Sequence, residues 1–317
     1  MKFLFVHQNF PGQFKYLAPA LAADPGNEVR AFAMNEGPGL PGVAVTRYVV
    51  KRVPGKSVHP WLRETETKVL RGEAAYYAAR ALQREGFNPD VIVAHPGWGE
   101  SLFLKEVWPQ ARLGIYCEFY YHAQGADVGF DPEFPPKDLA DACRLRCKNI
   151  NSQMHFDLAD AGLAPTHWQA STFPEPFRSR ITVAHDGIDT QKVAPNPSVK
   201  LTLSGKQGDI VLTRADEVIT FVNRNLEPYR GYHSFMRALP ALLAERPRAR
   251  VLIVGGDSVS YGAPAPDGQT WKQIFLDEVR ERIDLSRVHF LGRVPYAQYL
   301  ALLQLSTVHV YLTYPFV

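Results

Sequence analysis

Two arginines, Arg224 and Arg230, lie between an apolar run (Val218, Ile219, Phe221, Val222) and Gly231, which opens a strongly periodic helical stretch. Two guanidinium groups at the carboxyl end of a strand, beside the positive end of a helix dipole, suit a diphosphate. The same spacing also fits an ordinary strand–helix loop whose arginines face solvent. Two further exits in this half are glycine-rich, Gly255-Gly256-Asp257 and Gly292-Arg293-Val294, so ligand-competent loops recur there.

The first half places its own polar groups at strand exits. His7 precedes the turn Pro11-Gly12-Gln13, where a glycine would let backbone N–H groups approach a ligand or simply satisfy a tight turn. His95 to Glu100, Glu118 to His122, and Asp186 to Asp189 follow three later apolar runs. Ligands of open α/β sheets bind beyond the carboxyl ends of strands. A single histidine there is an ordinary structural residue; four polar exits on one edge suggest a lined cleft.

The elements that must position these residues alternate. Strand-like runs are expected at 3–6, 28–34, 43–50, 90–94, 112–118 and 181–185. Helical runs are expected after the first turn (Phe14, Leu17, Leu21 and Ala22 on one face), over 61–86 and over 137–161. Residues 190–217 interrupt the rhythm with Pro195, Pro197, Gly205 and Gly208, a linker followed by a β-hairpin. Strands at 218–222, 250–254, 288–291 and 308–312 then alternate with helices at 232–245, 270–283 and 296–305. Such alternation implies parallel sheets covered on both faces. The boundaries expected are 1–195 for a first Rossmann-like domain, 196–217 for linker and hairpin, and 218–317 for a second. The second stops early for its class, directly after Tyr314-Pro315-Phe316-Val317.

With 35 basic and 32 acidic residues the net charge is only +3, short of the excess expected of a nucleic-acid binder. Three cysteines without regular spacing argue against a disulfide framework. Cys143 and Cys147 lack a second ligand pair, so no metal site is expected. Residues 1–7 read as a strand rather than a signal peptide, and no apolar run reaches the ~20 residues that cross a bilayer. These features point to the cytoplasm, with attachment to the inner membrane face left open. Gly37-Pro38-Gly39-Leu40-Pro41-Gly42 matches a dinucleotide fingerprint literally, but its prolines remove donors and no helix follows.

Taken together, the chain resembles retaining glycosyltransferases of family 4, which have the GT-B architecture of two facing Rossmann-like domains. Residues 221–231, Phe-Val-Asn-Arg-Asn-Leu-Glu-Pro-Tyr-Arg-Gly, are similar to that family's donor-phosphate loop, commonly Gly-Arg…Lys-Gly. Here Asn223 replaces the glycine and Arg230 the lysine, which keeps both cations. His185-Asp186-Gly187-Ile188-Asp189-Thr190 resembles the Asn-Gly-Val-Asp segment before the family's linker, and His289 to Val294 the segment along the nucleotide base. Gln13 departs from the family's Pro-Gly-Gly turn. The histidine the family carries after a mid-domain strand corresponds to Glu118 or to His122, and the sequence leaves both open.

The resemblance implies transfer of a sugar, with retention, from a nucleotide-diphosphate sugar to a sugar or lipid-linked acceptor, as in bacterial cell-surface polysaccharide synthesis. Donor contacts would come from Gly12, Gln13, Arg224, Arg230, Gly231, Gly255, Gly256, Arg293 and Val294. His95, Glu118 and His122 would position the acceptor. No Asp-x-Asp sequence occurs, so no metal or other cofactor is expected. The family's Glu-x7-Glu element would come after Tyr314-Pro315, where the chain ends, and poor turnover is the corresponding expectation. A GT-B sugar-nucleotide epimerase, a truncated non-catalytic nucleotide-binding protein and a nicotinamide oxidoreductase are the competing classes.

Overall fold

The apolar run at the N-terminus becomes an inner strand, β1 (Lys2–Val6), whose last three residues are fully buried. The computed structural model describes all residues except 136, 137, 139, 206, 207 and 314–317. A 3-10 turn at Gly12–Phe14 leads to α1 (Leu17–Ala22), β2 (Glu28–Ala33), β3 (Val43–Arg47), α2 (Arg63–Arg84) and β4 (Val91–Ala94). Then come α3 (Leu104–Val107), β5 (Arg112–Tyr116), α4 (Asp141–Lys148), α5 (Ile150–Phe156), β6 (Ala161–Ala164), α6 (His167–Ser171) and β7 (Ile181–Val183). The seven strands are parallel, in the order β3-β2-β1-β4-β5-β6-β7. Alternation along β1 sends Leu4 and Val6 into one core with Phe32, Leu82 and Ile92, and Phe5 into the other with Phe10, Phe14 and Ala31.

The second unit begins with the antiparallel hairpin β8 (Lys200–Gly205) and β9 (Gly208–Thr213). It continues through β10 (Val218–Asn225), α7 (Tyr232–Glu245), β11 (Arg250–Gly256), α8 (Trp271–Val279), β12 (Val288–Gly292), α9 (Tyr296–Leu305) and β13 (Val308–Val310). Its parallel strands lie in the order β12-β11-β10-β13. Phe221 and Ile253 pack under Phe235, Leu239 and Phe275. Val218, Leu252 and Val254 pack on the other face, against hairpin residues Leu201, Leu203 and Leu212 and against Leu302 and Leu305 of α9.

Contacts divide the described residues into Met1–Gly129 with Pro135–Gly187, and Phe130–Phe134 with 188–313. The chain therefore enters the second unit twice. Phe130 packs on Tyr229 with ring centroids 4.4 Å apart, and Phe134 meets His233 edge-on at 5.1 Å. Asp131 Oδ2 lies 3.0 Å from His233 Nε2, and both carboxylate oxygens of Glu133 accept from Arg237 at 2.7 Å. Asp131, Glu133 and His233 bring ligand-type atoms within 4.8 Å of one another; these ion pairs already account for the grouping.

Several elements differ from the sequence expectation. The break between the 3-10 turn and α1 resets the helical phase, so Ala18 is buried and Leu17 is 43% exposed. The helical stretch expected over 137–161 begins among residues outside the described set and splits at Asn149. That side chain accepts from Tyr121 N–H at 3.0 Å and donates to Tyr121 C=O at 2.7 Å, pinning the break. The end of this stretch starts a strand, β6, whose Ala-Gly-Leu-Ala sequence lacks the β-branched residues that mark the others. The run at 43–50 leaves the sheet after Arg47. The stretch at 308–312 is strand only to Val310, and its continuation into 314–317 lies outside the described residues. Among the described residues no helix is long and apolar enough to cross a membrane.

Candidate functional site

In the first unit β1, β4 and β5 are neighbours, and each delivers one polar side chain just past its carboxyl end: His7, His95 and Glu118. His7 Nδ1 accepts from the N–H of Asn9 at 2.9 Å, which leaves the ring proton on Nε2, 2.9 Å from Oε1 of Gln13. His95 uses the same device, accepting from Gly97 N–H at 3.1 Å. A third copy stands after β7, where His185 accepts from Gly187 N–H at 3.1 Å. His95 Nε2 lies 3.4 Å from Oε2 of Glu118, an electrostatic contact rather than a hydrogen bond.

Aromatic rings lock this group. Trp98 packs 4.8 Å from His7 and 4.5 Å from His95, while Tyr116 stacks on His95 at 5.4 Å. The Tyr116 hydroxyl donates to Asp186 at 2.9 Å, adding the β7 exit to the cluster. Burial, and then the neighbouring His95, push His7 down to about 4, so its imidazole is neutral at pH 7. For Glu118, burial alone would raise the carboxyl; His95 and His7 outweigh it and hold the group below the usual carboxylate range. The result is a carboxylate, its side chain 35% exposed, backed by buried imidazoles. That arrangement can orient a hydroxyl or accept its proton.

Gly12 has a structural task here: its φ is +47°, and an added Cβ would fall 2.3 Å from His7 Nε2. The glycine lets the turn close over the imidazole. His122 does not join the group. Its Nε2 donates a hydrogen bond to the carbonyl of Thr172 at 2.7 Å. Of the two candidates for the acceptor-side position, the structure therefore brings Glu118 to His95 and leaves His122 on Thr172.

In the second unit Arg224 ends β10 exposed, without an ion-pair partner among the described residues. Arg230 is buried, its guanidinium 5.3 Å from the Tyr261 ring centroid. The two cations are thus placed differently. Gly231 adopts φ +69° immediately before α7, and a Cβ there would lie 2.4 Å from that of Leu312. At the β11 exit, Gly255 gives room to Leu226, whereas Gly256 gives room to Asn225 and to Arg293, whose Nε would lie 2.8 Å from an added Cβ. Arg293 donates to Oδ1 of Asn225 at 3.1 Å. Val294 packs against the hairpin-side core.

Two residues of this loop were not singled out from the sequence. Asn225 accepts from Ser258 at 2.9 Å and donates to Ser260 at 2.7 Å besides holding Arg293. Glu227 is fully buried, and its carboxylate accepts from the backbone N–H groups of Ser260 and Gly262 at 3.0 and 3.1 Å. Together they fasten the 258–262 loop to the end of β10. Both lie 33 or more residues from their partners, beyond any local pattern.

Known structures resemble the chain as a whole. The catalytic domain of starch synthase IV from Arabidopsis thaliana, bound to ADP and acarbose, is 14% identical with a TM-score of 0.57, over 97% of this chain and 77% of that one. An α,α-trehalose 6-phosphate synthase from Burkholderia multivorans is 11% identical with a TM-score of 0.52, over 98% and 77%. At such identities the likeness establishes the fold, that of GT-B glycosyltransferases with Rossmann-like units. No curated protein matches in sequence. The model of the glycosyl transferase family 4 group matches residues 25–193, which include His95 and Glu118 and make up more than half of the chain. The chain belongs to the glycosyl transferase family 4 group.

Proposed function

We propose that the protein transfers a sugar from a nucleotide-diphosphate sugar to an acceptor hydroxyl, with retention at the anomeric carbon. Three neighbouring strand exits of the second unit carry this reading. The end of β10 carries Arg224, which has no ion-pair partner among the described residues, that of β11 Gly255 and Gly256, and that of β12 Arg293 held against Asn225. Strands lie ~4.8 Å apart, so these exits span about 10 Å, a fitting width for a diphosphate and its nucleoside.

The departing diphosphate develops negative charge, and fixed cations beside it stabilise that charge where it forms. Arg224 and Arg293 are assigned this role, with Asn225 holding Arg293 in place. The bond from the anomeric carbon to the diphosphate oxygen breaks, the bond to the acceptor oxygen forms, and the acceptor's proton leaves with the diphosphate. Glu118, aimed by His95 and His7, is assigned the positioning of that hydroxyl. Retention follows the resemblance of residues 221–231 to the donor loop of retaining enzymes.

Incubation with UDP-, ADP- and GDP-sugars and a panel of acceptors tests the reading. Acceptor-dependent release of nucleoside diphosphate is expected, with the donor's anomeric configuration kept in the product. Nucleoside diphosphate released alongside an epimerised free sugar, without need of acceptor, would replace it with the epimerase.

A further inference from the structure

The stretch from the end of β3 to the end of α2 is the most basic part of the molecule. Residues 47–84 hold nine Lys or Arg against three Glu, a net +6 in a chain whose total is +3. Three of these cations are paired: Arg47 with Glu36, Arg52 with Glu73, and Lys68 with Glu64. Lys51 and Lys56 have no carboxylate partner among the described residues.

The same stretch encloses a cavity of about 450 Å³, within the size range of small-molecule sites. Its walls are mostly aliphatic and aromatic, from Val49, Val50, Leu70, Ala74 and Tyr77; Lys51 and the Arg52–Glu73 ion pair complete the lining, so the one carboxylate there is already neutralised. Val49 and Tyr77 are 73% and 64% exposed, although each could contribute substantial burial. Mostly apolar walls beside an ammonium with no carboxylate partner among the described residues select neither a plain polar anion nor a neutral chain. They suit both ends of an anionic amphiphile.

The location also connects to the polar cluster. Val49 and Val50 leave the carboxyl end of β3, on the sheet edge from which His7 and His95 emerge. The order β3-β2-β1 places β3 and β1 two strand spacings apart, about 10 Å. Tyr48, at the root of this segment, donates to Oε1 of the buried Glu100 at 2.7 Å, in the loop that begins with His95.

We propose that this cavity binds a single aliphatic chain bearing a phosphate, the chain lying along Val49, Leu70, Ala74 and Tyr77 and the phosphate on Lys51. If that molecule is the acceptor, the assignment rests on the transferase reading; its binding is measured with no donor present, so the two fail separately.

The test titrates the full chain with octyl phosphate, octanol and inorganic phosphate by calorimetry. Octyl phosphate is expected to bind at least tenfold tighter than either of the others. Lys51→Glu should weaken it about tenfold or more, and Ala74→Trp, which fills the cavity, should remove it while leaving nucleoside-diphosphate binding unchanged. Tyr77→Glu, at an exposed position, gives the same loss should Ala74→Trp fail to fold. Octanol binding equal to that of octyl phosphate, or undiminished affinity in folded Ala74→Trp or Tyr77→Glu, would overturn the assignment. Binding only to anionic vesicles, with none to monomeric octyl phosphate, would also overturn it, in favour of a surface contact.

Discussion

His95 Nε2 lies 3.4 Å from Glu118 Oε2, joining the carboxyl ends of the neighbouring strands β4 and β5. Because Gly97 N–H occupies His95 Nδ1, the imidazole presents its Nε2 proton towards the carboxylate. Glu118 thus combines a carboxyl held below its usual range with partial exposure at this sheet edge. Glu118→Gln should lower turnover by roughly 10²- to 10⁴-fold while nucleotide affinity stays within about threefold. His122→Ala, removing a ring committed to Thr172, should cost far less. Steady-state kinetics on both variants check this, and a larger loss in His122→Ala would move the acceptor role there.

Gly12 is required by shape rather than by chemistry. Alanine would adopt φ +47° and set a methyl 2.3 Å from His7 Nε2. Gly12→Ala should cost roughly 1–3 kcal/mol, partly by displacing His7 from Gln13. Urea denaturation measures the loss, and an unchanged midpoint would show that the turn relaxes freely.

Stability should depend on pH through the buried histidines. His155 is completely buried, accepting from Ser101 at 2.8 Å through Nε2 and donating to Asn151 C=O at 2.7 Å. Burial, chiefly, pushes it from 6.5 down to about 4, and His7 is held equally low. Between those values the unfolded chain binds protons that the folded chain refuses. The stabilisation is complete above about pH 6.5 and is lost as pH falls towards 4, by at most ~1.4 kcal/mol per pH unit for each group. Chemical denaturation at pH 7, 6 and 5 checks the slope. His155→Gln should flatten it, and a wild-type curve flat over this range would contradict the assignment.

Asn225 holds Arg293, Ser258 and Ser260 at once. Asn225→Ala should leave Arg293 unguided and weaken nucleoside-diphosphate binding about tenfold, an effect of ~1.4 kcal/mol, with the circular dichroism spectrum unchanged. Undiminished affinity would show that Arg293 needs no such support.

Much of this arrangement is legible in the sequence, because buried parallel strands are short apolar runs and the ligand edge follows wherever they end. His95, Glu118, Arg224 and Arg293 all stand at or just past such strand ends. β6 was hidden because Ala161, Gly162, Leu163 and Ala164 carry no strand signature, and the split at Asn149 depends on a partner 28 residues away. Glu227 reads as one more loop carboxylate until the chain folds and brings the N–H groups of Ser260 and Gly262 onto it. The sequence offers two equal arginines; burial separates them, with Arg230 packed near Tyr261 and Arg224 open at the end of β10.

The exit of β10 is the proposed seat of the diphosphate. Calorimetric titration of wild type and Arg224→Ala with a nucleoside diphosphate and with its parent nucleoside tests it most directly. Arg224→Ala is expected to weaken the diphosphate at least tenfold and to leave the nucleoside unchanged. Equal losses for both ligands, or no loss for either, would contradict it.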